Sequence, residues 1–152
     1  MKKISLTMAM LALGACVHVN VHEDTVRDDT PDCSSRTPVV MSNTRITATP
    51  VASHVIGDAP DKTLTSVLLS VPPGATANAH RHAGVVFGYV IEGAVCSQIT
   101  GDAGLKPYGA GESFFEPPGS HHLGFTNPGL ITAKVLVTQV ADTGATLTMP
   151  VQ

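Results

Sequence analysis

Three histidines in two separate parts of the sequence could bind a metal ion. His80 and His82 are two residues apart, and His122 follows much later in the chain. Side chains two apart on a strand share a face, so His80 and His82 can direct both imidazoles at one point. A third imidazole from another strand would complete half of an octahedron. The spacing therefore predicts a divalent transition-metal site; the alternative is three buried, hydrogen-bonded histidines without a metal.

Three acidic residues lie close enough in sequence to join this site. Glu92 precedes a glycine at a turn and Glu112 follows one at a strand start, so we expect both to be solvated. Glu116 comes directly before the Pro117 turn that leads to His122. Directed inward, Glu116 would be a metal ligand, a partner of a ligand or a general base; directed outward, it would be a surface charge. We take Glu116 as the candidate catalytic residue.

Other polar and aromatic residues near these motifs are weaker candidates. His121 should point to the face opposite His122, because side chains alternate along a strand. Gln98 lies in a strand-like run and could face a cavity. We expect four aromatic residues to lie in the core or, at most, in the wall of a pocket: Phe87, Tyr89, Phe114 and Phe125.

The elements that would position these residues are short strands. Apolar and β-branched runs are broken by glycine and proline turns, and no long helical pattern appears. Strands are predicted at 52–56, 63–71, 85–91, 94–99, 113–116 and 130–140. The run 85–91 is almost wholly apolar, which predicts a strand buried on both sides or lining a filled interior. The pattern indicates a compact all-β barrel.

Two spaced motifs make the chain resemble the cupin superfamily, in particular its small single-domain members. The first motif is matched at Gly74, His80, His82 and Gly93, and the second at Gly111, Pro117, Gly119 and His122, with Asn127 displaced by one position. The chain departs from the first motif at its glutamate, which usually supplies a fourth ligand. That glutamate would fall on Val86, or on Phe87 under the other permitted spacing, and neither side chain can bind a metal.

The resemblance implies a fold and a metal. The fold would be an antiparallel jelly-roll barrel, or double-stranded β-helix, of six to eight strands over about residues 47–145, with the metal in its mouth. His80, His82 and His122 would hold the ion. A three-histidine site favours Fe(II), Ni(II), Cu(II) or Zn(II), and the missing carboxylate makes Mg(II) and Ca(II) poor candidates. Cupins similar to this chain often form dimers, so a homodimer is expected.

The resemblance also implies two classes of function. The first is a metal-dependent enzyme, of dioxygenase or isomerase type, that acts on a small oxygenated organic molecule, with Glu116 carrying a proton. The second is a non-catalytic module that binds a metal or a small ligand. A barrel that has lost its metal and serves only as structure is a third, weaker hypothesis. One barrel fold hosts many activities, so the fold alone does not choose among them.

The N-terminal residues have the pattern of a secretory signal. Lys2 and Lys3 precede an apolar run that is too short to span a bilayer, and the run ends at Cys16. Residues 13–16 resemble the lipobox of bacterial lipoproteins, which implies acylation of Cys16 and a lipid anchor on a membrane facing the periplasm. The alternatives are an ordinary cleaved signal or an uncleaved apolar arm. We therefore predict a signal peptide at 1–16, a flexible tether at 17–46 and the cupin barrel at 47–152.

The remaining cysteines, Cys33 and Cys96, could form a disulfide in an oxidising compartment. The position of Cys33 in the predicted tether favours the alternative, in which Cys96 is simply buried in a strand.

Composition narrows the class of protein. The 152 residues are 43% hydrophobic and 14% charged, as in a single folded domain. The formal net charge is −3, and no run of Lys or Arg forms a basic stripe that could neutralise phosphates. We expect a small-molecule partner and no nucleic acid.

Overall fold

The described part of the protein is built almost entirely from β-strands. The computed structural model describes residues 32–33 and 45–151, and no helix occurs among them. The eleven strands are β1 Thr47–Ile56, β2 Ala59–Val71, β3 Thr76–Ala77, β4 His80–His82, β5 Val85–Glu92, β6 Ala94–Ile99, β7 Lys106–Gly109, β8 Ser113–Glu116, β9 His121–Thr126, β10 Ala133–Asp142 and β11 Thr148–Pro150.

The strands form two antiparallel sheets that face each other. One sheet has the order β1-β2-β10-β5-β8. The other has the order β11-β4-β9-β6-β7, and β3 pairs with β9 beside this path. Strands that are distant in sequence are thus neighbours in space, as in a jelly roll. The predicted all-β, antiparallel jelly-roll fold is confirmed.

The core lies between the sheets and is made mostly of valine. In β10, buried and half-buried residues alternate, which directs Ala133, Val135, Val137 and Gln139 to the interior. Val90 of β5 and other valines on both sheets are fully buried against them. β-Branched side chains pack well on a pleated surface, so a valine-rich sequence favours this arrangement.

The strand prediction needed three corrections. The predicted runs did not include β7, β9 and β11, nor the very short β3 and β4, because these strands are short or carry histidine, glycine and proline in place of a clear apolar alternation. The barrel therefore has more strands than the six to eight expected, and β11 lies beyond residue 145. Residues Leu130 and Ile131 are exposed in a loop, and β10 begins only at Ala133.

For residues 85–91, the expectation of a strand buried on both sides was wrong, whereas the alternative of a strand that lines a filled interior agrees with the structure. Phe87, Tyr89 and Ile91 of β5 are 47%, 40% and 52% exposed, whereas Val86 and Val90 between them are buried. The strand alternates as any sheet strand must, and nothing in the described chain covers its outer side. The outer side of β5 is consequently apolar.

A disulfide joins Cys33 to Cys96 of β6, with the two Cα atoms 5.9 Å apart. The interpretation that favoured two separate cysteines was wrong. It treated Cys33 as part of a free tail, and sequence patterns do not reveal which surface a polar segment contacts. The bond attaches part of the predicted tether to the barrel.

The remaining predictions for the N-terminus, including Cys16 and the signal sequence, lie outside the described residues. Within the described ranges, no helix is long and apolar enough to cross a membrane.

Candidate metal centre

Neighbouring strands bring the three predicted histidines together. β4 carries His80 and His82 on one face, and β9 places His122 directly opposite His80. One ring nitrogen from each histidine can be chosen so that all three lie within 4.8 Å of one another. His121, the neighbour of His122, does not belong to this group. Strand alternation thus separates His121 from His122, as predicted.

Backbone hydrogen bonds fix the rings of His80 and His82. Nδ1 of His80 is 2.7 Å from the carbonyl oxygen of Asn78, and Nδ1 of His82 is 3.1 Å from that of Leu147. A carbonyl oxygen can only accept, so both rings donate from Nδ1–H. Nε2 of each ring is then left with its lone pair, which is the form that binds a metal.

His122 is held through Nε2 rather than Nδ1, and by a side chain rather than by the backbone. Its Nε2 lies 3.0 Å from the hydroxyl of Ser97, and the ring is buried. Nδ1 is directed towards Glu116 and forms no hydrogen bond among the described residues. One imidazole nitrogen from each of the three histidines therefore converges on one side of the cavity.

Glu116 is directed inward. It is only 2% exposed, with Oε1 3.2 Å from His122 Nδ1 and Oε2 3.8 Å from His82 Nε2. Oε2 has no hydrogen-bond partner in the described part of the chain. Glu116 pairs across β5 and β8 with Val86, the position where the motif glutamate is missing. The neighbouring strand thus supplies a carboxylate to the same part of the site.

Burial shifts the ionisation of these groups towards their neutral forms. It raises the pKa of Glu116 to about 7. Burial, followed by the charges on His80 and His82, lowers the pKa of His122 to about 4. The pKa of His82 is also lowered, mainly by burial and then by His80, while hydrogen bonding to the backbone of Leu147 opposes the shift. The low-dielectric site keeps imidazole nitrogens available to a cation.

The donor set fits a divalent transition metal. Imidazole nitrogens suit Fe, Ni, Cu and Zn, whereas Mg and Ca prefer oxygen ligands. The buried atoms Glu116 Oε2 and His122 Nδ1, both without hydrogen-bond partners, are costly unless a cation or a ligand contacts them.

A cavity of about 490 Å³ opens beside the histidines. Phe114 and Phe125 form part of its wall, as the sequence allowed, whereas Phe87 and Tyr89 are exposed on the outer face. Gln98 does not line the cavity.

Two residues of the site, Gln139 and Ser97, were missed. Gln139 lies in the interior row of β10, across β5 from Glu116, so that Val86 has Gln139 on one side and Glu116 on the other. Its alternation with Val135 and Val137 was the signal that could have identified it. Ser97 is the neighbour of Gln98 in β6, and the hydrophobic pattern there did not show which of the two faces inward.

The other candidates have structural roles. Glu112 Oε2 accepts a hydrogen bond from the backbone N–H of Gly109, and Glu92 is exposed. Asn127 is buried and donates from its amide to the carbonyl oxygens of Val71 and Ile131. The displaced motif asparagine therefore stabilises the loop before β10.

Comparison with known proteins agrees with this architecture. The family described as Cupin domain matches residues 67–138. The barrel has the cupin fold. Among solved structures, it is similar to a conserved double-stranded β-helix protein of Klebsiella pneumoniae, at 23% identity and a TM-score of 0.55 over 75% of this chain and 91% of that one. No curated protein sequence matches the chain significantly.

Two further solved structures, both of named proteins, are similar in fold. KdgF from Halomonas sp. is 22% identical with a TM-score of 0.51, over 66% of this chain and 83% of that chain. Oxalate decarboxylase from Bacillus subtilis is 21% identical with a TM-score of 0.52, over 65% of this chain but only 27% of that chain. At these identities the likeness establishes the fold and leaves the activity to the site.

Proposed function

We propose that this cupin barrel binds one divalent transition metal through His80, His82 and His122 and acts on a small oxygenated organic molecule, in a reaction of dioxygenase or isomerase type. The observation that supports the proposal most directly is the convergence of three imidazole nitrogens beside a buried carboxylate, where His122 Nδ1 and Glu116 Oε2 have no hydrogen-bond partner among the described residues. Such an arrangement is unfavourable without a cation and favourable with one.

Each residue of the site has a defined role in this proposal. A bound transition metal would act as a Lewis acid at a substrate oxygen. Asn78 and Leu147 fix the rings of His80 and His82, so the lone pairs are preorganised. Glu116 lies beside the histidines and can hold a proton at a carboxylate oxygen, which makes it the catalytic candidate. The apolar wall of the cavity limits the access of water.

The alternative is a non-catalytic module that binds a metal or a small ligand. Glu116 is the one carboxylate among the described residues that line the cavity, so no second acid is at hand to form an acid–base pair. A search for substrate turnover by the metal-loaded protein separates this alternative from the enzyme. Turnover that is lost in Glu116→Gln while the metal stays bound would favour catalysis.

Metal content is the first experiment. The whole mature protein, purified without a histidine tag, is compared by elemental analysis with a His80→Ala/His122→Ala variant. His121→Ala is the matched control, because it removes a neighbouring histidine outside the cluster. We expect about one equivalent of Fe, Ni, Cu or Zn in the parent and the control, and none in the double variant. Absence of metal from the parent after reconstitution would refute the metal proposal and leave a structural or ligand-binding barrel.

We further propose that the protein is exported and anchored in a bacterial membrane, facing the periplasm, by a lipid on Cys16. The lipobox-like sequence at 13–16 supports the anchor, and the Cys33–Cys96 disulfide is of the kind that persists in an oxidising compartment. Labelling with a radioactive fatty acid tests the anchor. The label should be incorporated by the parent and not by Cys16→Ser, and an unlabelled parent would contradict lipidation.

We propose a homodimer that forms through the apolar outer side of β5 and β8, at one edge of the five-stranded sheet. Phe87, Tyr89 and Ile91 of β5 and Phe115 of β8 are exposed there. Phe87 and Phe115 are cross-strand partners, so they form one continuous patch. Light scattering should give a dimer for the parent and a monomer for Phe87→Lys/Phe115→Lys. Leu130→Lys, at an exposed loop position, is the control, and a monomeric parent would refute the dimer.

A further inference from the structure

The cavity beside the histidines is polar at one end and apolar over most of its remaining wall. Its volume is about 490 Å³, and ten of the eighteen residues that line it are apolar. The three histidines share the polar end with Glu116 and Gln139. A metal ion and its ligands occupy only this end. The rest of the volume is of the size that a small organic ligand fills.

The apolar wall selects against ligands that are polar all round. Val67 and Leu69 of β2 and Val137 of β10 line the cavity from one sheet, and Phe125 of β9 lines it from the other. A hydroxyl group placed against these side chains would lose its hydrogen bonds to water without replacement. A hydrocarbon or aromatic body would gain free energy at the same place, in proportion to the area buried.

The charges around the cavity select against small dianions. Arg45 is the single Lys or Arg among the described lining residues, and it is exposed. No described cation therefore lies deep in the cavity to pair with a second carboxylate. A dianion as small as oxalate would also leave most of the volume without contacts, which forfeits dispersion energy.

Gln139 adds a requirement for a hydrogen-bond donor. Its side chain is 7% exposed and lines the cavity beside His82. No described residue donates a hydrogen bond to its Oε1. An amide oxygen can only accept, and a buried acceptor without a partner costs free energy. A hydroxyl on the ligand would satisfy this oxygen at the polar end of the cavity.

We propose that the ligand is an amphipathic hydroxylated organic compound. Its apolar body occupies the part of the cavity lined by Val67, Leu69 and Val137, and its hydroxyl donates to Gln139 Oε1 beside the histidines. This inference rests on the proposed function for the metal at the polar end, and it names the substrate class of that site. The preference for a ligand with an apolar body follows from the apolar wall of the cavity alone and does not depend on the metal.

The test uses simple probes of graded polarity. Isothermal calorimetry measures the binding of 4-butylphenol, phenol, 4-butylanisole and oxalate to the metal-free and the metal-loaded protein. Each buried methylene contributes about 0.8 kcal/mol, or roughly fourfold in affinity. We therefore expect 4-butylphenol to bind on the order of 100-fold more tightly than phenol in both forms. Loss of the hydroxyl donor in 4-butylanisole should weaken binding by about tenfold.

Matched variants locate the effect in the cavity. Val137→Thr places a hydroxyl on the apolar wall with little change of shape, and should weaken 4-butylphenol by about fivefold. Val140→Thr, on the outer side of the same strand, should leave its affinity unchanged. Gln139→Leu should make 4-butylphenol and 4-butylanisole bind with equal affinity. The variant should still bind 4-butylphenol more tightly than phenol, whereas a general loss of structure would remove both preferences.

The outcomes separate this inference from the proposed function. A protein that binds no metal but still prefers 4-butylphenol refutes the metal proposal and supports the inference. A protein that binds metal, yet binds phenol as tightly as 4-butylphenol or binds oxalate in preference to both, overturns the inference and leaves the metal proposal intact. Equal effects of Val137→Thr and Val140→Thr would also overturn the proposed location of the apolar body.

Discussion

The negative charge of Glu116 should contribute strongly to metal affinity, and Glu116→Gln tests this with almost no change of shape. The carboxylate oxygens lie 3.2 and 3.8 Å from nitrogens of His122 and His82, so an ion bound by these histidines would be within about 4 Å of the charge. Two unit charges at about 4 Å and an effective dielectric constant of about 20 interact by about 4 kcal/mol. Because the amide oxygen of glutamine keeps part of the attraction, we expect a loss of about 3 kcal/mol, or roughly 100-fold in Kd.

The pH of the assay matters, because burial raises the pKa of Glu116 to about 7. At pH 8 the carboxyl group is mostly ionised before the metal binds. Metal binding then does not have to displace a proton from Glu116, so deprotonation does not reduce the difference in Kd between the parent and Glu116→Gln. Competition with a chromophoric chelator gives the Kd for Zn or Ni. Glu112→Gln is the control, since this acid is exposed and does not line the cavity. An unchanged Kd in Glu116→Gln would refute the reasoning.

Moving the carboxylate from position 116 to position 86 tests whether its charge or its position determines metal affinity. Val86 lines the cavity and pairs with Glu116 across β5 and β8. Glu116→Val should weaken metal binding at least as much as Glu116→Gln. Adding Val86→Glu returns the charge from the adjacent strand, and should restore the Kd to within about tenfold of the parent. Failure of the double variant to recover, while it remains folded, would mean that the position of the carboxylate matters more than its charge.

Four further predictions concern stability, measured by urea denaturation of the metal-free protein. Cys33→Ser removes a disulfide with a sequence separation of 63 and should lower the free energy of unfolding by about 4 kcal/mol. Reductant should cause the same loss in the parent, and equal stability of the parent and the variant would contradict the prediction. Gly88→Ala places a Cβ 2.1 Å from a ring atom of Phe114 and should cost about 1–3 kcal/mol, but much less when Phe114→Ala is also present. Asn127→Ala leaves the buried carbonyl oxygen of Val71 and the part-buried one of Ile131 without their donor and should cost about 3 kcal/mol; a change under about 1 kcal/mol would be inconsistent with the bonds described. The pKa of His122 is lowered to about 4 in the folded state, so this group binds more protons in the unfolded chain and should contribute a loss of up to about 3 kcal/mol as the pH drops from 6.5 to 4. The raised pKa of Glu116 acts in the opposite direction, so the contribution of His122 is measured as the difference between the parent and His122→Gln at each pH.

The sequence alone identified the three histidines and Glu116 of the site. The two-residue spacing of His80 and His82, and the turn that leads to His122, follow from strand periodicity and turn chemistry, which are local properties. The same locality explains why the all-β class and most of the strands could be predicted. It also explains the failures at β7, β9 and β11, where short strands with few apolar residues exist only because a neighbouring strand pairs with them.

Only the tertiary structure decided which groups share one space. That Glu116 faces His82 and His122, and that Gln139 lies on the far side of Val86, depends on the register of three strands from distant parts of the chain. The contact of Cys33 with Cys96 depends in the same way on where the chain folds back. Local patterns carry no information about such pairing, because it is set by the burial of apolar surface over the whole barrel. The residue types therefore determine which chemical groups are present, and the fold determines which of them act together.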